Sequence, residues 1–318
     1  MKINPANNQT NFKGFYNNKI FLKSLEKIAD HSGSFTAGAS FVCATLLRPI
    51  AINLAPDVKK ENKKALSAES IASGVVKLGT ALAISLPIEG AIKKINKKPQ
   101  EYFSQKTLKN LDKKSRNFIE QTIKQSSNVI SAIPKSLATI ALMPILLNAF
   151  SKSKEKNKQK QGQVNFKGLD KGIAKIIEND NVQKFAQKHS PNSKNIARNT
   201  AVVADILLAT SSIIATKTSK KIDEKTKKPL MINKALSTAI SIIAGCAIDS
   251  FTKKATGGIV EKFIQENKND PKLLKYLDGI NVLRPTIIFA GVYYFLIPII
   301  TTLISDKLSN QNNENKAS

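Results

Sequence analysis

Ionisable side chains stand inside runs of otherwise apolar sequence, among them Arg48, Lys77, Asp205 and Asp249. A charge at the centre of a membrane-spanning helix costs about 2.5–3.5 kcal/mol on insertion scales, so residues kept there are expected to pair or to line a path for a polar solute. These four form the candidate intramembrane polar site. Asp249 also closes the series Ser237, Ser241, Gly245, Asp249, spaced four apart. That spacing puts small and polar groups on one helix face and lets another backbone approach closely. Corresponding positions earlier in the chain, Ser73, Lys77, Ala81 and Ser85, make a second stripe. The two stripes are expected to face each other, with Lys77 neutralising Asp249 or Asp205. Arg48 and Arg284 each fall in a Leu-Arg-Pro tripeptide beside an apolar block, where an arginine marks a helix entry or meets an anionic group.

Other chemistry finds little material. His31 and His189 lie 158 positions apart, and Cys43 and Cys246 sit singly within apolar blocks, which suits neither a metal site nor a disulfide framework. No nucleophile elbow, phosphate-binding glycine loop, dinucleotide turn or H-E-x-x-H occurs. The expectation is a non-enzyme with no catalytic, metal or cofactor-binding residues and no cofactor.

Charge narrows the partners. Lys and Arg number 50 against 23 acids, a net +27, and the only arginines are Arg48, Arg116, Arg198 and Arg284. A lysine surplus attracts phosphate or anionic lipid over distance but lacks the bidentate fork of specific phosphate recognition. Aromatic residues are 6% with no Trp, and none interleave with the lysines as a base-stacking platform would require. The expected partner is membrane lipid with anionic headgroups, and no specific nucleic acid.

The elements that must position these residues are apolar blocks. The plainest is Thr286–Ile304, nineteen residues without a charge, close to the ~20 needed to span a bilayer core as a helix. Five further blocks precede it, at about 33–54, 71–92, 129–150, 199–216 and 232–251, and their Ala, Leu and Ile content argues helix. Between them, 107–125 and 260–280 space apolar residues as amphipathic helices do. No secretory signal heads the sequence as given, so export by that route is not expected.

The halves of the chain also match each other. NFKG occurs at Asn11–Gly14 and again at Asn165–Gly168, and residues 36–85 align without a gap to 200–249, pairing Thr36 with Thr200, Ala37 with Ala201 and Ser73 with Ser237. Near the ends the offset becomes 154, matching Met143–Ser151 with Ile297–Ser305. The fold expected is all-α: a multi-helix membrane bundle of two tandem three-helix repeats, 1–150 and 165–318, joined by a charged linker at 151–164, with additional amphipathic helices. An odd number of spans per half inverts the second half relative to the first. Loop charges are nearly balanced, and only the short turns, seven bases in 217–234 against four in 55–70, lean toward both termini inside. The functional expectation is a multi-pass protein of the inner (cytoplasmic) membrane, transporter- or channel-like. The alternative is a structural or interaction protein anchored to anionic membrane through its lysine-rich surface.

Overall fold

The structure is a computed structural model that describes residues 16–55, 60–151, 168–218 and 224–300, without the side chains of 60–62, 65–66, 69, 140–151, 192, 224–230 and 233. The first NFKG segment, nearly all of the second, nearly all of the 151–164 linker, and residues 301–305 of the last block lie outside the described residues.

Every described element is helical. In chain order they are α1 (Lys19–Asp30), α2 (Ser32–Leu54), α3 (Lys60–Lys97), α4 (Gln105–Asn110), α5 (Lys113–Ser151), α6 (Leu169–Glu178), α7 (Asp180–His189), α8 (Ile196–Thr218), α9 (Glu224–Ala255), α10 (Gly257–Glu266) and α11 (Leu273–Ile300). Five stretches are long and apolar enough to cross a membrane: Ser32–Leu54, Ser70–Lys97, Ser193–Thr218, Lys234–Ala255 and Leu273–Ile300. The 129–150 block runs along α5, whose side chains beyond residue 139 are not described. Both amphipathic stretches are divided: 107–125 between α4 and the start of α5, and 260–280 between α10 and the start of α11, broken around Pro271.

The starts of several helices are written locally. Asn18 caps α1 through its side-chain oxygen, which accepts from the amides of Ile20 and Phe21, and Asn179 caps α7 in the same way. Asp112 caps α5, accepting from the amides of Lys114 and Ser115. The largest apolar core cluster among the described residues lies at one end of the bundle. There Ile88, Ile92 and Ile95 of α3 meet Phe118 and Ile119 of α5, and α6 lays Ile173 and Ile177 against them.

The flanks are apolar as well. On α2, Val42, Leu46, Ile50 and Leu54 follow one another at four-residue spacing and are all half exposed or more; Ile243 and Phe251 of α9 are 71% and 73% exposed. A helix in water turns a polar face outward, so an outward apolar stripe suits lipid.

Helix directions follow from the contacts. Ser32 bonds to Gln121 and Gly33 lies against Lys124 and Ser127, so α2 runs parallel to α5. The turn before α8 packs on the start of α5, and farther along Asp205 and Lys135 line one cavity, so α8 runs the same way. Asn117 bonds to Asp278, and Thr36 meets Thr286, so α11 is parallel too. The other two long helices run back: Ser34 meets Glu89 of α3 while Ser70 of α3 reaches Ala44, and Arg284 meets Asp249 of α9 while Tyr293 meets Lys234. The first helices of the two halves thus point in one direction, which corrects the expected inversion. Counting spans could not foresee this, because the chain between α5 and α8 returns to the starting end before the second half begins.

α2 and α11 each contain one π-helical turn, Cys43–Leu47 and Val292–Leu296. Each is followed two residues later by a proline, Pro49 and Pro298. A proline inside a helix lacks its N–H and crowds the carbonyl four residues back, and widening the preceding turn relieves that clash. The two π turns pack near each other, where Ala44 and Leu47 meet Ala290, Tyr293 and Tyr294.

Candidate functional site

Between α2, α3, α5, α8 and α11 lies a cavity of about 130 Å³. Its existence follows from small residues. Much of what α8 and α2 turn to it is small: Ala197, Ala201 and Ala204 on α8, and Ala37 and Ser40 on α2. Larger side chains at these positions would fill the space.

Three charged residues reach this cavity: Lys77 from α3, Lys135 from α5 and Asp205 from α8. Asp205 lies 12 residues from the start of the Ser193–Thr218 stretch and 13 from its end, so it is central to that apolar helix. Lys77, Lys135 and Lys234 are all close enough to act electrostatically on its carboxylate. Yet among the described residues neither Asp205 nor Lys135 has an oppositely charged group within 4.0 Å. The cavity holds these groups apart.

On α5 the cavity wall is Gln125, Asn128, Ala132 and Lys135, spaced three, four and three, which keeps all four on one face. Asn128 donates to the side-chain oxygen of Gln125 at 3.3 Å. The Gln125 amide nitrogen is left without a partner, although the residue is 2% exposed. On the α11 side, Tyr293 accepts from Lys234 at 3.0 Å, with the ammonium also 5.4 Å from the ring centroid.

Of the four expected site residues, Lys77 and Asp205 meet at the cavity and the other two do not. Arg48 stands behind Tyr293 and Tyr294, within electrostatic range of both rings, with a buried Nε that makes no hydrogen bond. Asp249 is fully buried elsewhere. Its Oδ1 accepts from Arg284 Nε at 2.9 Å, and its Oδ2 lies 3.7 Å from both Arg198 and Lys253. Lys77 therefore does not neutralise Asp249; arginine does, because α11 and not α3 crosses α9 there.

The stripes also find other partners. Gly245 brings α9 against the Phe289 ring of α11, where an added Cβ would sit 2.8 Å from the ring. The stripe of α3 is buried on α2 and α5. Lys135, Gln125, Lys234 and Tyr293 were not foreseen as site residues. The signal for Lys135 was present, since it is the lone charge between Val129 and Phe150. Nothing local marked Gln125.

Compared with known proteins, the chain matches no family model, no curated protein and no solved structure.

Proposed function

We propose that this chain is a multi-pass integral membrane protein, non-enzymatic, whose two duplicated halves enclose a solute-binding cavity within the apolar layer. Its role on this reading is transporter- or channel-like, in the inner (cytoplasmic) membrane. The observation that carries it is the meeting of Lys77, Lys135 and Asp205 at one cavity inside a bundle whose flanks are apolar. Ionisable groups at such depth mark solute or ion pathways as a rule.

Duplication is supported by the positions of the elements. Ser32 and Ile196, where α2 and α8 begin, stand 164 residues apart. Cavity positions pair in the same way: Ala37 with Ala201, Ser40 with Ala204 and Phe41 with Asp205 at offset 164, and Ala132 with Thr286 and Lys135 with Phe289 at offset 154. A pseudo-twofold axis through the cavity, along the helices, accounts for these pairs. Parallel repeats of this kind occur in transporters beside inverted ones.

One observation favours the second reading, a structural or interaction protein anchored to anionic lipid headgroups. α5 is 39 residues long, about 58 Å, and leaves Ser151 far from the end of the bundle where α6 packs. Residues 152–167 must join the two and carry six lysines. Taking six lysines across an apolar layer is costly. A bundle fixed at an anionic surface by its lysines, with partner chains over its apolar flanks, needs no such passage.

Single cysteines in the 55–70 and 217–234 turns and at Lys171, on a background lacking Cys43 and Cys246, separate the readings in native membranes. The spanning bundle labels both turns from one side and Lys171 from the other, and resists alkaline extraction. Release by alkaline carbonate, or labelling of all three sites from one side, gives the anchored scaffold instead.

A further inference from the structure

Resting on the reading of a bundle that spans the membrane, we propose that the cations gathered around Asp249 bind the phosphate of an anionic lipid headgroup. Asp249 is met by Arg284 at 2.9 Å and by Arg198 and Lys253 at 3.7 Å, and Lys194 lies within electrostatic range of Lys253. Among the described residues Asp249 is the only acid within 4.0 Å of any of the four. Four cations against one carboxylate leave three positive charges in excess. The chain has only four arginines, and two of them converge here. Guanidinium groups match phosphate oxygens in a way that a lysine does not. Donors are also left over. Arg284 spends Nε on Asp249 and Nη2 on the Lys194 carbonyl, and Arg198 spends Nε on Asn199. Among the described residues Arg284 Nη1, both terminal nitrogens of Arg198 and the Lys194 ammonium make no hydrogen bond.

The depth of the cluster fits a headgroup. Arg198 lies five residues from the start of the Ser193–Thr218 stretch and Asp249 six from the end of Lys234–Ala255, about 8 and 9 Å along the helix axes. The 26 residues of Ser193–Thr218 are about 39 Å long against ~30 Å of hydrocarbon, so the first turns reach the level of the phosphates. An arginine there extends toward the polar layer and keeps its stem in lipid. Farther into the bundle, Ile243 of α9 and Ile287 of α11 are exposed. Because α9 runs opposite to α8 and α11, both lie on the hydrocarbon side of the charges. A phosphate carried on acyl chains meets both parts of this surface. A free phosphate ion uses only the charged one.

The full-length protein in a neutral detergent, at constant ionic strength, is titrated with phosphatidylglycerol, phosphatidylcholine and sodium phosphate while the thermal midpoint is followed. A ligand bound only to the native state raises the midpoint with concentration. A saturable rise is expected with phosphatidylglycerol, a weaker one with phosphatidylcholine, whose choline adds a cation, and none with sodium phosphate. Arg198→Gln should weaken the apparent affinity about tenfold and Lys194→Gln about fivefold. Lys194 is exposed, so its variant tests the site without disturbing packing. Lys175→Gln on α6 and Lys217→Gln in the last turn of α8 remove the same charge from exposed positions elsewhere and should leave the affinity unchanged. An equal rise with sodium phosphate overturns the lipid in favour of a free anion. No rise at all, or equal losses in all four variants, overturns the site. In a protein that resists alkaline extraction these failures leave the spanning reading standing, whereas release by alkaline carbonate removes that reading and the site with it.

Discussion

Asp249, which has no exposed surface, is held by Arg284 through a 2.9 Å hydrogen bond from Nε to Oδ1, and that bond ties the end of α9 to the middle of α11. Arg198 at the start of α8 and Lys253 on α9 close around the other carboxylate oxygen at 3.7 Å. Three helices are pinned at one point.

Breaking that point from either side is expected to cost more than removing it whole. Asp249→Leu leaves three cations without their anion and Arg284→Met leaves a buried carboxylate short of its best donor, each a loss of about 3–5 kcal/mol. The double variant Asp249→Leu with Arg284→Met should recover a large part of the loss. Denaturation of the four proteins in one detergent measures the coupling, and strictly additive losses would show that the pair does not act as a unit.

Glycine is required where α1 and α11 cross. A Cβ on Gly279 would press against the Leu25 carbonyl oxygen and lie 2.9 Å from its Cα, and backbone atoms cannot swing aside as a side chain does. Gly279→Ala is expected to destabilise by about 1–3 kcal/mol. Gly291→Ala, with nothing within 4 Å of its new methyl, should be neutral or stabilising through helix propensity. Equal midpoints for the two variants would mean that α1 does not pack where the structure has it.

The cap of α5 makes a pH prediction outside the apolar layer. Hydrogen bonds from the Ser115 hydroxyl and amide hold the Asp112 carboxyl below the usual carboxylate range. Its folded pKa is thus below its unfolded one, so the unfolded chain binds the proton first as acid is added. The cap's contribution is complete above the unfolded value of about 4 and is lost as pH falls below it. Asp112→Ala should cost about 1 kcal/mol at pH 7 and progressively less below pH ~4. A stability gap between the two proteins that stays constant from pH 7 to pH 3 would contradict this.

Much of the architecture was legible because it is written in short-range signals. Apolar blocks of about twenty residues gave the helices. The charges that interrupt the blocks pointed to Lys77 and Asp205, which do share a cavity. The direction of each helix was not legible. It depends on Ser32 meeting Gln121 and Asn117 meeting Asp278, contacts between positions 89 and 161 residues apart that no periodicity records. With parallel halves the 55–70 and 217–234 turns share one end of the bundle, so comparing their lysines carries no information on orientation. Asp249 was assigned the wrong partner for a related reason. Its neighbour Arg284 sits beside Pro285, and proline there suggested the border of a helix, whereas α11 continues straight through it.

The pairing of positions around the cavity has a last consequence, for the directionality of the space itself. On the proposed duplication, two identical halves would set the same residue on both sides of the proposed axis: twin acids or twin phenylalanines at 41 and 205, twin lysines or twin phenylalanines at 135 and 289. This chain has one of each, with Phe41 and Phe289 on α2 and α11, and Asp205 and Lys135 on α8 and α5. The enclosure therefore has a greasy cheek and an ionic cheek, and a guest with a head and a tail would lodge in it one way round.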